Sequence, residues 1–139
     1  MNKVLIPSEK IILSIDPGYE RLGIAILKKD IRGKIQLLHS ECFKTSATEN
    51  FADRLIFIGT HVQELIHTYK PVCMSIESLF MQNNQKTVMK VSETRGVLMY
   101  VARSLGLLIY DFTPLQIKSA VTGSGRSDKT SVQKMVKVQ

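Results

Sequence analysis

Apolar side chains recur along this chain with two different periods. Ile11–Ile15 is a short β-branched run that ends at Asp16-Pro17-Gly18, which reads as a strand followed by a turn. Leu22–Leu27 is a second apolar run, Lys28 to Lys34 carries charges and Gly33 as a hairpin loop does, and Ile35 to Thr45 predicts a third strand. Short connections between successive strands predict an antiparallel meander. The period then changes. Phe51, Leu55, Ile58, Val62, Leu65 and Tyr69 recur at steps of three and four, so residues 50–70 are predicted as an amphipathic helix stopped by Pro71. Val72 to Ser78 is predicted as a buried strand. Residues 84–106 are predicted helical, with Val88, Val91, Leu98, Val101 and Leu105 on one broad face and Gly106 at the end. Leu107 to Phe112 is a fifth strand. Thr113-Pro114 offers an N-cap followed by proline at the first helical position, and Gly123 closes that helix. Gly123 to Ser127 is a loop, and Asp128 opens a last helix.

At 139 residues the chain suits one domain, 1–139, with 44% apolar and 22% charged residues arguing against disorder. The net charge of +7 is unevenly placed. Residues 1–85 hold ten basic and nine acidic side chains, whereas residues 86–139 hold nine basic and three acidic. A one-sided basic field is the footprint of a polyanionic partner, either nucleic acid or an anionic membrane. Cys42 and Cys73 lie in apolar runs without zinc or redox spacing, so buried reduced thiols and a cytoplasmic location are expected. The N-terminus shows no signal peptide, and the longest apolar stretch, Gly96 to Tyr110, is broken by Arg103 and too short for a membrane span.

Two carboxylates carry the chemistry. Asp16 ends one apolar strand and Glu77 ends another, where a charge is costly unless something compensates it. Alone, each serves equally well as a turn or helix cap. If the first strand and the strand after the first helix are neighbours, the two acids meet, and a divalent cation relieves their repulsion with oxygen ligands.

The element order, βββ-α-β-α-β-α-α, resembles the α/β ribonuclease H-like fold: a mixed five-stranded sheet, three antiparallel strands then helical crossovers, with helices on both faces. The residues resemble one family more closely. Asp16-Pro17-Gly18, Ile76-Glu77-Ser78-Leu79-Phe80, Gln116-Ile117-Lys118, Gly123-Ser124-Gly125, Lys129 and Val132-Gln133-Lys134-Met135-Val136 are similar, in order and interval, to the RuvC family of Holliday junction resolvases. The likeness runs from about Ile11 to Val136. It implies a homodimeric, Mg²⁺-dependent endonuclease that nicks opposed strands of a four-way DNA junction in recombination and repair. It also implies two ions, with Mn²⁺ as a substitute, and a branch-migration motor complex as a partner.

Two-metal phosphodiester hydrolysis needs carboxylates that hold the ions about 3.5–4 Å apart. Asp16 is the natural bridging ligand and Glu77 holds one ion. By resemblance, Lys118 and Lys129 lie near the scissile phosphate as point charges. Phe80 reads by itself as either core or rim; the resemblance gives it unstacked bases at the junction centre, a contact worth about 1–3 kcal/mol per base. Arg126, in the glycine-bounded loop, is a candidate phosphate contact. Met89, Met99 and Tyr100 lie off the main stripe of the second helix, which predicts a partner subunit there.

One feature departs from the family pattern: the family closes with a helix whose aspartates complete the metal site, and this sequence reaches Gln139 without them. After Glu77 the acids are Glu93, Asp111 and Asp128. The expectation is therefore a C-terminally short chain that binds junctions as a dimer and nicks slowly or not at all, with Asp111 as the substitute ligand if it nicks fast. The competing readings are a related nuclease acting on structured RNA and a junction-binding protein that does not cut. An actin-like or sugar-kinase ATPase is disfavoured, because no second domain closes over a nucleotide.

Overall fold

The computed structural model describes residues 8–79 and 84–122. β1 (Lys10–Asp16), β2 (Arg21–Lys29) and β3 (Ile35–Lys44) form the antiparallel meander. The β2–β3 turn closes on Asp30, whose carboxylate accepts from the amides of Arg32 and Lys34, each at 2.8 Å. α1 (Phe51–Tyr69) follows, capped by the Asn50 side chain, and Lys70 in the left-handed conformation ends it just before Pro71. β4 (Cys73–Glu77), α2 (Gln85–Ser104), β5 (Leu108–Phe112) and α3 (Pro114–Thr122) complete the described elements. The sheet order is β3-β2-β1-β4-β5, with β1, β4 and β5 parallel. The expected loop at 123–127 and the helix from Asp128 lie outside the described residues.

Strand alternation builds one core. Leu13 and Ile15 of β1, Leu22, Ile24 and Ile26 of β2, and Met74 and Ile76 of β4 share a face. They pack against Ile58, Val62, Leu65 and Ile66 of α1 and Leu98 and Ala102 of α2. Residues one position away point to the other face, which carries Asp16, Glu77 and the exposed Leu108, Tyr110 and Phe112.

Three expectations need correcting. The buried line of α2 is Thr94, Leu98 and Ala102 rather than the full stripe from Val88, because the start of the helix runs beyond the core. Cys42 is exposed, since it alternates to the outward side of edge strand β3, whereas Cys73 is half-buried and burial pushes its thiol up. Met99 packs on the core, which leaves Met89 and Tyr100 as the exposed pair on α2.

Candidate active site

β1 and β4 run parallel with Ile15 opposite Ile76, so the next residue on each strand, Asp16 and Glu77, leaves the sheet at the same edge and on the same face. Asp16 is exposed and Glu77 half-buried. Burial, a hydrogen bond to Asp16 and the charge of Asp16 together push the Glu77 carboxyl up to about 7, with the Lys118 charge pulling the other way. Near neutral pH Glu77 is therefore close to half protonated. Two carboxylates at neighbouring strand ends, one of them half-buried, offer oxygen donors of the kind a hard divalent metal takes. Among the described residues, no group of three or more His, Cys, Asp or Glu side chains is arranged to hold a metal, so the oxygen donors here are this pair.

The surroundings are shaped for the pair. Pro17, Ser78 and Leu79 join both acids around a cavity of about 160 Å³, whose far wall is Thr87, Val88 and Val91 of α2. Val88 and Val91, expected in the core, thus form the apolar side of the site. Gly23 lies opposite Asp16 on β2, and a Cβ there would come within 3.0 Å of the Asp16 Cβ, so glycine leaves the carboxylate its room. Asn84 caps α2 by accepting from the amides of Lys86 and Thr87, which fixes the entry of the helix beside the cavity.

Lys118 is carried by α3, whose start is a reciprocal cap. The Gln116 amide donates to Thr113 Oγ1 at 3.1 Å, and the Thr113 amide donates to Gln116 Oε1 at 2.8 Å. This half-buried lysine reaches Glu77 electrostatically. Phe80, Arg126 and Lys129 lie outside the described residues.

Asp111 does not join the acids. It pairs with Ile76 across β4–β5, so its side chain lies on the helix-covered face, and Arg95 Nη2 of α2 donates to it. The same guanidinium donates through Nε to the Glu77 carbonyl at 3.1 Å. The expectation that Asp111 substitutes as a ligand is overturned by this register. Arg95 was missed, as was the buried Arg54 of α1. The available signal was a charged residue at an apolar stripe position, three or four residues from Val91 and Leu98 in one case and from Ile58 in the other.

Residues 12–139 match the family model for crossover junction endodeoxyribonuclease RuvC. The chain belongs to the RuvC family. Crossover junction endodeoxyribonuclease RuvC of Ruminiclostridium cellulolyticum is 39% identical over 127 residues, covering 91% of this chain and 76% of that protein. The Finegoldia magna enzyme of the same name is 41% identical over 126 residues, with the same coverage. Among solved structures, Thermus thermophilus RuvC in complex with Holliday junction substrate superposes with a TM-score of 0.85 at 30% identity, covering 93% of this chain and 78% of that one. The yeast mitochondrial Holliday junction resolvase Ydc2 shares the fold at 12% identity and a TM-score of 0.69. RuvC-family chemistry uses divalent metal. No helix among the described residues is long and apolar enough to cross a membrane.

Proposed function

We propose that this RuvC-family chain is a structure-specific endonuclease that binds four-way Holliday junctions and resolves them by paired symmetric nicks, in recombination and DNA repair. The observation that carries this reading is the Asp16–Glu77 pair, two carboxylates from neighbouring parallel strands on one face of the sheet. Asp16 and Glu77 would hold Mg²⁺, two ions by family resemblance, with Mn²⁺ as a substitute. The metal supplies an activated water and charge stabilisation on the phosphate oxygens. Glu77 is the carboxyl whose proton a bound cation would displace, and Lys118 would offset negative charge on the phosphate as a point charge. Phe80 stacks on unpaired bases, and Arg126 and Lys129 bind phosphates.

The working unit is a homodimer. Met89 and Tyr100 on α2 are 63% and 75% exposed, and this supports a subunit contact along that helix. Two-fold symmetry then sets two sites on opposed strands of a symmetric junction. The excess positive charge after residue 85 favours binding to a branched polyanion, the protein acts in the cytoplasm, and a branch-migration motor is its further partner. A gel assay with synthetic four-way junctions and structured RNA, with and without Mg²⁺, tests the reading. Preferential Mg²⁺-dependent nicking of junctions supports it; equal or better cleavage of RNA overturns it.

A further inference from the structure

Arg54 is the only charged residue among the described residues that is buried, at 5% exposure, and it lies on the stripe of α1 that faces the sheet. A buried guanidinium is costly unless its donors are used. Its Nε donates to Thr45 Oγ1 at 2.8 Å, and its Nη2 points to the Tyr19 carbonyl at 3.5 Å. The nearest carboxylate, Glu20, is 4.0 Å away and mostly exposed, so charge pairing does not explain the burial. Thr45 completes the arrangement: its hydroxyl donates to the same Tyr19 carbonyl, and its amide donates to the Glu20 carbonyl at 3.1 Å. The Arg54 guanidinium also lies 5.2 Å from the Tyr19 ring centre, and Phe51 meets that ring edge-on at 5.8 Å.

Apart from the Arg54–Thr45 link itself, these contacts land on the turn that leaves β1 directly after Asp16. Gly18 in that turn has the Arg21 carbonyl 2.2 Å from where a Cβ would sit, so the turn is folded tightly back on itself. Pro17 of the same turn lines the cavity beside the two acids. A tight turn needs an outside anchor to hold the strand end still, and here α1 and the end of β3 supply it.

We infer that Arg54 and Thr45 form a positioning clamp that fixes the Pro17–Glu20 turn and thereby sets the Asp16 carboxylate for metal binding. The clamp acts through the backbone of residues 17–20. It rests on the reading of Asp16 as a metal ligand and adds residues from two elements outside the motif. Partners bonded directly to a metal ligand are worth about 10–100-fold in metal affinity, and a clamp acting through the turn should reach the lower end of that range.

The test is Mn²⁺ binding to the DNA-free protein, followed by electron paramagnetic resonance of free Mn²⁺, beside a thermal melt of each variant. Thr45→Val removes the hydroxyl with little change of shape, and Thr45→Ser restores it. Arg54→Lys keeps the charge but cannot make both contacts. The clamp predicts about 10-fold weaker Mn²⁺ binding for Thr45→Val while it remains folded, and near-wild-type binding for Thr45→Ser. Arg54→Lys should weaken binding likewise, and combining it with Thr45→Val should add little further loss. Wild-type Mn²⁺ affinity in folded Thr45→Val would overturn the inference, whatever its melting temperature. Equal Mn²⁺ binding by wild type and Asp16→Asn would instead remove the metal site itself, and the clamp with it.

Discussion

Glu77 and Asp16 line one cavity because Ile15 and Ile76 are opposite each other in parallel strands. The two acids are 61 residues apart in sequence, yet one register places them on a common edge. Burial and the neighbouring Asp16 favour a proton on Glu77, the half-buried partner. Its competitor at the site is therefore a cation, and proton and metal should displace one another.

That competition sets a pH dependence. The Glu77 carboxyl rises from an ordinary value of 4.5 to about 7 through burial, the Asp16 hydrogen bond and the Asp16 charge. The fold favours the protonated form, so the stabilisation is complete below about 4.5 and is lost as the pH climbs to about 7. Metal-free protein should lose a few degrees of melting temperature across that window. Glu77→Gln should flatten the loss, and Mg²⁺ should reduce it in wild type but not in the variant. A melting curve series at several pH values, with and without Mg²⁺, checks both.

Asp111 gives a prediction of the opposite kind. Because its side chain lies across the sheet from Glu77 and is held by Arg95, Asp111→Asn should leave divalent-metal affinity unchanged and cost under about 1 kcal/mol of stability. Arg95→Met withdraws the donor from the Glu77 carbonyl as well, and should cost about 1–3 kcal/mol in a denaturant titration.

Lys118 should act on every junction alike. If it binds phosphate, Lys118→Ala lowers affinity regardless of sequence and reduces the salt slope of binding by about 1. Binding isotherms at several salt concentrations give the slope directly, and an unchanged slope returns Lys118 to a purely local role beside Glu77.

Most of this arrangement is legible in the sequence where the signal is local. Pro71 stops α1, Thr113-Pro114 starts α3, and Asp16-Pro17-Gly18 marks the end of β1, each through chemistry confined to a few neighbours. The meeting of Asp16 with Glu77 is legible one level up, because the crossover through α1 that follows the meander returns β4 parallel beside β1. What escapes is whatever depends on register or on which helix turn faces the sheet. The side of the sheet taken by Asp111 follows from its pairing with Ile76, which no local pattern encodes. Cys42 is apolar in context yet outward by alternation. Arg54 and Arg95 are hidden because a period count skips charged residues, although both stand at stripe positions where a charge needs an explanation.

The central claim is that Asp16 serves metal-dependent cutting rather than junction recognition. The most direct test scores binding and nicking of a synthetic four-way junction separately, for wild type and Asp16→Asn, with and without Mg²⁺. Removing a negative charge beside phosphate while losing a metal ligand should leave binding intact or tighter and abolish the Mg²⁺-dependent nicks. Mg²⁺-dependent nicking that persists in Asp16→Asn, or junction binding that disappears with Mg²⁺ affinity unchanged, would contradict the account.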